Sequence, residues 1–375
     1  MINSFKILFS GDFAPINIEP TEKVFEHLHK ITKKSDFCFL NLEAPLTNSN
    51  EKLIKDGSNL KCNPSWIKVI KNNGYNILGL ANNHILDIKE KGLFDSIDNI
   101  NQEKIQYCGA GKNIEEASKI LYIEKNNIKL SIIATCENEF SAASENKPGT
   151  FGLDIILLYK KIQEAKNSSD KVIVTIHGGN EHFEFPRPKL RELCKFIIDI
   201  GADSVVCHHS HIIGSIEEYK GATIFYSLGN LFFPSNGKNT SWYHGCSVQF
   251  QITKDEKLDY ELIYHKFDNK SVHLLEGDEL LKIKNSHSQN NNILQSHDQY
   301  MEKWNNYCKN SEFRILANLF LPYKPKRGLS LLKRLNIIDI FLGRKDLANK
   351  LNILRCESHN EILENILEKK YEEIK

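Results

Sequence analysis

Three histidines stand within four positions in the stretch "VVCHHSHIIG", at His208, His209 and His211. Each imidazole carries two ring nitrogens that need partners, so packing all three in one core would be costly. His209 and His211 are two residues apart and point to the same side of an extended chain. At the mouth of a strand, such a group would make a metal site.

Other predicted strands also end in polar side chains that can bind metal ions. Carboxyl ends of strands are where α/β sheets bind ligands. One such residue is usually a turn former or a satisfied core residue, but six strand ends of this kind favour a site. The residues are Asp12, Glu43, Asn82, Asn83, His84, His177, Glu181, His209, His211 and Asn230.

These side chains could hold one or two divalent metal ions. His209 and His211 would each take one ion of a close pair, while carboxylates supply charge and can bridge. Oxygen and nitrogen donors suit Mn²⁺, Fe or Zn²⁺ better than a thiolate site does. The predicted ligands are Asp12, Glu43, Asn83, His177, His209 and His211.

Such a pair of ions, ~3.5–4 Å apart, would polarise a phosphoryl oxygen and activate water at neutral pH. His84 follows Asn83 directly, and histidine is the most common general acid in enzymes, so we predict that it donates a proton to the leaving alkoxide. Cys207 precedes the histidines and is interpreted as a small apolar filler. Asp87 is interpreted as a helix-start cap.

Three further residues keep two interpretations each. Glu181 either supports a ligand histidine or contacts substrate. Asn230 either lines the site or is structural. Lys61, in "LKCNP", either meets an anionic substrate or is a surface lysine.

Strand and helix patterns alternate through the first two thirds of the chain, beginning with the strand "FKILFSGD" and a helix over 21–32. "SVQFQIT" and "LDYELIYHKF" resemble a late antiparallel pair. Helices covering a mixed sheet or a two-sheet sandwich fit this order.

The predicted domains are 1–267 and a helical C-terminal appendage, 268–375. The appendage begins with a polar, Asn-rich tract around "NSHSQNNN". Its basic stretch could touch an anionic membrane surface or a phosphorylated substrate, or form the solvated face of packed helices. The basic residues are Lys324, Lys326, Arg327, Lys333 and Arg334.

Composition excludes several classes of protein. Lys+Arg at 49 and Asp+Glu at 48 nearly cancel, which argues against a nucleic-acid binder. Nine cysteines without a C-x-x-C pair indicate reduced thiols. The sequence shows no signal peptide and no apolar stretch near the ~20 residues of a membrane helix. We therefore predict a cytoplasmic protein, with peripheral contact to the inner membrane face as an option.

"GDFAP", "NLEAPLT", "LANNHILD", "HGGNEHF", "GADSVVCHHSHIIG" and "FYSLGNLFF" occur in this order. Together they resemble the CapA-type poly-gamma-glutamate capsule synthesis proteins, which are similar to calcineurin-like metallophosphoesterases. The resemblance covers roughly residues 5–265. It implies a four-layer α/β/β/α sandwich of metallophosphoesterase type, with metal ions held in loops after the strands.

The resemblance also implies individual roles. Asp12 would bind metal, Glu43 would bridge two ions, and Asn83 and His84 would be a ligand and a catalytic acid. His177 would be a further ligand, and His209 and His211 would give one nitrogen to each ion. His208 would support the ligands or pack.

The sequence departs from the family pattern at several positions. Ala14 replaces a histidine two residues after the first Asp, and Glu43 replaces an Asp, which implies that one ion is weakly bound or absent. Gly178 replaces an aromatic residue, and Cys207 and Ser210 replace Gly and Pro. These changes leave the nitrogens and carboxylates in place and bear on substrate fit.

Three functions remain open from the sequence. The first is a metal-dependent, phosphoesterase-like hydrolase in capsule or cell-surface polysaccharide or polyglutamate biosynthesis, acting on an anionic or polymer-derived substrate. The second is a non-hydrolytic assembly partner of polymer synthesis proteins. The third is a metal-dependent amide hydrolase or a protein associated with an amide ligase, because an activated water attacks carbonyls as well as phosphorus.

Overall fold

The computed structural model describes residues 3–55, 57–235, 237 and 239–320, with the separate positions 350, 354, 362, 363, 366, 367, 371 and 373. The chain divides into two compact units, Met1–Tyr300 and Met301–Lys375. All the candidate site residues belong to the first unit. The basic stretch at 324–334 lies outside the described residues.

Strands and helices alternate through the described part of the first unit. The strands are β1 (Phe5–Phe13), β2 (Phe37–Leu42), β3 (Ile77–Gly79), β4 (Gln106–Cys108), β5 (Ala110–Gly111), β6 (Leu121–Lys125), β7 (Ile128–Cys136), β8 (Gly149–Thr150), β9 (Lys171–His177), β10 (Ser204–His208), β11 (Ile216–Tyr219), β12 (Ala222–Phe225), β13 (Asn230–Phe232), β14 (His244–Ile252), β15 (Asp259–Phe267) and β16 (Val272–Leu274). The helices are α1 (His29–Thr32), α2 (Trp66–Asn72), α3 (Lys89–Gln102), α4 (Ile114–Ala117), α5 (Ile155–Ser168), α6 (Pro188–Asp199), α7 (Gly277–Gln295) and α8 (His297–Phe320), with 3-10 turns at Glu22–Phe25 and Thr240–Tyr243.

Two large sheets form the centre of the first unit. The first runs β16-β15-β14-β1-β2-β3-β4, with β13 pairing beside β1, and the second runs β11-β12-β10-β9-β7-β6. Strands β1 to β4 are parallel to one another, as are β7, β9, β10 and β12. The predicted antiparallel pair is confirmed as β14 and β15.

Side-chain alternation along β1 explains the layers. Ile7 and Phe9 face the second sheet, in a core that includes Val206 and Phe225. Leu8 faces the opposite way, into a second core with Trp66 of α2 and Leu93 of α3. Helices α5 and α6 lie against β7, β9 and β10 on the outer side of the second sheet. The α/β/β/α sandwich is therefore confirmed, and the single mixed sheet is excluded.

Two predicted segments differ from the structure. The helix over 21–32 is interrupted, because a 3-10 turn at Glu22–Phe25 precedes the short α1, while Val24, Phe25 and Leu28 are buried. The Asn-rich tract lies inside α7, which buries His287 and Leu294, seven residues apart on one helix face. Packing thus outweighs the weak helix propensity of asparagine in this tract.

The predicted boundary between 267 and 268 falls inside the first unit. Strand β16 pairs with β15 across a turn at Asp268–Ser271, and so continues the first sheet beyond residue 268. Whether 268–375 acts as an independent appendage stays a prediction.

Phe250 tests the core between the sheets. It is fully buried on β14, and its ring meets that of Phe225 of the second sheet edge to face at 5.7 Å between centroids. Phe250→Ala is expected to lower the free energy of unfolding by about 3–5 kcal/mol, because a large cavity is left. Urea unfolding measures this. Phe196→Ala, on the partly exposed side of α6, should cost far less, and equal losses would contradict the assignment.

Candidate metal centre

The carboxyl ends of strands from both sheets meet at one edge of the sandwich. Asp12 stands near the end of β1, and Glu43 follows β2 directly. His177 ends β9 opposite His208, which ends β10. The carboxyl ends of parallel strands in one sheet lie at the same edge, and the two sheets place these edges side by side, so the side chains meet although they are far apart in sequence.

Two groups of side chains could hold a metal ion, and Glu43 belongs to both. In one, ligand atoms of Asp12, Glu43 and His211 lie within 4.8 Å of one another. In the other, those of Glu43, His177 and His209 do so. The structure thus brings together five of the six predicted ligands in two groups that share a carboxylate.

Asn83, the sixth predicted ligand, stands beside the second group. Its Oδ1 lies 3.1 Å from Nε2 of His177, and Nε2 of His177 lies 3.2 Å from Nδ1 of His209. The second group can therefore use four donors, whereas the first has three. Ala14, where the family pattern has a histidine, is fully buried in the core and supplies no donor.

Glu43 is the side chain that best tests whether a cation fits. It is fully buried, and neither carboxylate oxygen has a hydrogen-bond partner in the part of the chain that the structure describes. The nearby nitrogens are Nε2 of His177 at 3.5 Å and Nε2 of His211 at 3.6 Å. Burial raises the pKa of Glu43 well above its usual range. A buried carboxylate is costly unless it is paired or ligates metal, so the residues present fit a divalent cation.

The histidines differ in how they would meet a cation. Burial lowers the pKa of His209 to about 4, and that of His177 well below its usual range, so both stay neutral with lone pairs to donate. Burial would also lower the pKa of His211, but Glu43 and Asp12 outweigh it and raise the value to about 9. The two carboxylates therefore attract positive charge to this point.

Asp12 is held by contacts on both oxygens. Oδ1 accepts a hydrogen bond from Nδ2 of Asn41 at 2.8 Å, and Oδ2 accepts one from the backbone N–H of His209 at 3.1 Å. Burial would raise the pKa of this carboxyl group, but the neighbouring His208 and His211 keep it well below its usual range. The Asp12 carboxylate is therefore ionised, and its two hydrogen bonds hold it in one orientation.

The loop that carries the His-x-His pair has an unusual backbone. His209 and His211 have φ values of 94° and 61°, which are uncommon for residues with a side chain. Ser210 between them is tied by its carbonyl to the N–H of His182 at 2.9 Å. Backbone strain of this kind concentrates at functional sites. The prediction that His209 and His211 point to the same side assumed an extended strand. The backbone is not extended at these two residues, so that reasoning does not apply.

His84 stands at the rim, with its side chain 14% exposed. Its Nδ1 lies 2.7 Å from Oδ2 of Asp87. The interpretation of Asp87 as a helix cap is wrong, since Ile88 occupies the N-cap position of α3 and the buried carboxylate contacts His84 and Lys55 instead. Asp87 fixes the orientation of the imidazole ring.

His208, Asn230 and Cys207 support the centre from within the fold. His208 is buried against Phe39, with Nδ1 3.4 Å from Oδ1 of Asp12. Oδ1 of Asn230 lies 3.0 Å from Nδ1 of His211, and its Nδ2 donates to the His211 carbonyl. Cys207 is fully buried in β10.

Glu181 and Lys61 lie outside this cluster. Glu181 is exposed beyond β9, although its charge still acts on His209 and His211. The Lys61 ammonium group donates to the Ser49 carbonyl at 2.8 Å and to Oδ1 of Asn50 at 2.7 Å. Lys61 therefore ties down its own loop.

The sequence interpretation missed two side chains. Asn41 lies two residues before Glu43 and so shares its side of the strand, which was a usable signal. Trp242 packs its ring against His211 at 4.6 Å between centroids. Nothing in the spacing of "TSWYHG" indicated this contact.

Asn230 offers a test of the support for His211. Asn230→Ala should weaken metal binding about 10–100-fold at the Asp12, Glu43 and His211 group, because partners that orient a ligand histidine usually contribute that much. Competition with a chelator measures the affinity. Asn239→Ala, at an exposed 3-10 cap nearby, should leave it unchanged, and an equal loss in both variants would contradict the role.

Residues 7–235 match the family of bacterial capsule synthesis proteins PGA_cap. The chain belongs to this family. Among its relatives, the capsule biosynthesis protein CapA of Bacillus anthracis is 31% identical over 246 residues, covering 63% of this chain and 59% of the relative. The PGA biosynthesis protein CapA of Bacillus subtilis is 31% identical over 238 residues, covering 62% of each chain. The chain thus spans less than two thirds of these relatives.

More distant matches also fall in this capsule synthesis group. A polyglutamine synthesis accessory protein of Mycobacterium tuberculosis is 26% identical over 210 residues, covering 52% of this chain and 55% of that protein. Among solved structures, a phosphatase from Mycoplasma pneumoniae aligns at 16% identity with a TM-score of 0.47, over 75% of this chain and 98% of that one.

Within the described residues, no helix is both long and apolar enough to cross a bilayer.

Proposed function

We propose that this capsule synthesis family member is a metal-dependent hydrolase of phosphoester bonds that acts in the biosynthesis of a capsule polymer, a polyglutamate or a polysaccharide. The observation that carries the proposal is Glu43, a buried carboxylate without hydrogen bonds among histidine and aspartate donors. Buried polar groups are nearly always hydrogen-bonded, so a buried carboxylate with two unbonded oxygens calls for another partner, and a bound cation would supply it.

Each protein group has a role in this proposal. Asp12, Glu43 and His211 would hold one ion, and Glu43, His177 and His209, with Asn83 beside them, would hold a second. Divalent ions bound there would supply Lewis-acid stabilisation of a phosphoryl oxygen and a nucleophilic water near neutral pH. Asp12 and Glu43 would provide the negative charge that retains the cations, while His177 and His209, whose pKa values are lowered by burial, stay neutral as donors.

In this proposal, His84 donates a proton to the leaving group. Its Nδ1 faces Asp87, so the opposite nitrogen, Nε2, is free to carry a proton toward the rim. A positioned imidazole of this kind protonates a leaving alkoxide in the transition state. The proposed substrate is anionic, because a phosphoester is anionic, and a precursor or fragment of the polymer would fit the capsule synthesis family to which the chain belongs.

Metal analysis and substrate screening test this function together. Protein purified without chelator is analysed for metal, reloaded with Mn²⁺ or Zn²⁺, and offered phosphomonoesters, phosphodiesters and γ-glutamyl amides. Metal-dependent turnover of a phosphoester is the expected result. Turnover of the amides alone would favour the amide hydrolase. Absence of metal binding after reloading would contradict both.

A non-catalytic accessory role is the second candidate. It is favoured by the description of a mycobacterial relative as a synthesis accessory protein and by the missing histidine at Ala14. In that case the protein would bind polymer synthesis proteins and turn over no ester. Co-purification with a synthase, unchanged by substitution of His84, would support it.

A further inference from the structure

Lys55 is a buried cation in an otherwise exposed loop. The loop comprises residues 51–55 and 57–60, and most of its described residues are exposed or half-buried. The Lys55 side chain is only 3% exposed. Burying an ammonium group costs free energy unless it is paired, so its surroundings must compensate.

Three groups surround the Lys55 ammonium nitrogen. It forms an ion pair with Oδ1 of Asp87, donates to the backbone carbonyl of Asn83 at 3.3 Å, and lies 3.2 Å from Nδ1 of His84. Apart from this ion pair, Oδ1 of the fully buried Asp87 has no hydrogen-bond partner among the described residues. Lys55 is therefore its charge partner.

The same aspartate anchors the rest of the loop. Oδ2 of Asp87 accepts the N–H of Leu60 at 2.6 Å as well as the contact from His84. Its backbone carbonyl accepts the N–H of Leu53 at 2.9 Å and Nδ2 of Asn59 at 3.0 Å. Residues before and after Lys55 in the loop thus donate hydrogen bonds to Asp87, the residue that orients the His84 imidazole.

We propose that Lys55 is a positioning residue that clamps residues 51–55 and 57–60 onto Asp87 and His84, and so holds the imidazole in one orientation at the rim of the candidate metal centre. The proposal rests on the proposed function for its catalytic part. Lys55 acts through His84 and contacts no substrate, because its donors are already directed at Asp87 and Asn83.

Lys55→Met removes the charge and keeps the aliphatic stem. The buried Asp87 carboxylate then lacks its ion pair, and the loop is expected to detach. Hydrogen exchange at the amides of Leu53 and Leu60 should become about tenfold faster or more, because their acceptors belong to Asp87. Lys52→Met, on the exposed part of the same loop, is the control and should exchange as the wild type does.

Kinetics at saturating Mn²⁺ separate positioning from a general loss of stability. In Lys55→Met, kcat for phenyl phosphate should fall about tenfold or more, part of the ~10²–10⁴ that a positioned acid contributes, with little change in KM. The loss for p-nitrophenyl phosphate should be smaller, since that leaving group needs no proton. Added to His84→Gln, Lys55→Met should cause no further loss, because residues that act as one unit are not additive.

Each contrary result has one meaning. Unchanged exchange at Leu53 and Leu60 in Lys55→Met would overturn the clamp, whatever the protein hydrolyses. Faster exchange with an additive kcat loss in the double variant would overturn the positioning of His84. A wild type that binds Mn²⁺ but hydrolyses no ester would count against the proposed function, and the exchange result would then decide the clamp alone.

Discussion

Glu43→Gln is expected to abolish tight binding of both metal ions, because the two groups share this one carboxylate. The variant keeps the shape of the side chain and removes its charge. In the wild type, metal at about 1,000 times its dissociation constant should raise the free energy of unfolding by about 4 kcal/mol, and the variant should lose this gain. Elemental analysis and thermal unfolding with and without Mn²⁺ measure both effects.

Without metal, Glu43→Gln should be more stable than the wild type at neutral pH. Burial raises the pKa of Glu43 above that of the unfolded chain, so the folded state holds a proton that the unfolded state releases. The wild type without metal should therefore lose stability as the pH rises from the carboxyl pKa of the unfolded chain toward the raised pKa of the folded state. Glu43→Gln should lack that loss. Substitution thus makes the metal-free protein more stable at neutral pH and the metal-loaded protein less stable.

Glu181→Gln is the matched control for Glu43. Its carboxylate also acts on His209 and His211, but from an exposed position. Removing that charge should weaken metal binding only slightly, because solvent screens it. Full metal content in Glu43→Gln, or an equal loss in both variants, would rule out a shared ligand.

His84→Gln should lower kcat for phenyl phosphate by about 10²–10⁴-fold while the metal content stays that of the wild type. The amide keeps much of the volume of the side chain but cannot deliver a proton at neutral pH. For p-nitrophenyl phosphate the loss should be much smaller, because a stable phenolate leaves without protonation. Steady-state kinetics with the two esters give the ratio directly.

His182→Gln is the control for this experiment. His182 lies close by, with its ring 5.5 Å from that of Trp242, and the proposed chemistry does not use it. Its kcat should remain within a few-fold of the wild type. If His84→Gln lost as much activity on both esters, or lost its metal, His84 would be acting as a ligand or a structural residue.

The structure brings five of the six predicted ligands into two groups, and these residues could be selected because residue type itself limits the options; their binding of metal stays a prediction. Histidines, carboxylates and an asparagine at the ends of apolar strands have few structural uses in common, so Glu43 and His177 could be identified without any contact information. The two-sheet sandwich followed from strand and helix order together with the family resemblance. The alternation of Ile7, Leu8 and Phe9 then shows why β1 separates two cores.

Roles that depend on contacts across the chain could not be predicted. Asp87 lies one residue before Ile88, the N-cap of α3, and an aspartate so close to a helix start often caps it. The contacts of Asp87 with His84 and Lys55 distinguish the two roles, and spacing does not encode them. Trp242 reaches His211 from a loop beyond β13. The prediction of one helix over 21–32 was wrong. Burial of Val24 and Phe25 determines the backbone there, and helical spacing in the sequence does not encode that burial.

The hydrogen bond between Asp12 and the N–H of His209 joins residues 197 positions apart. Its two ends come from different sheets, so the ligands can meet only after most of the first unit has assembled. Closing so long a segment of chain carries its entropic cost before any metal contact can repay it. Metal ions bound at the proposed centre would therefore bind after most of the first unit has folded. They would link the two sheets and slow unfolding, and would not guide the early steps of folding.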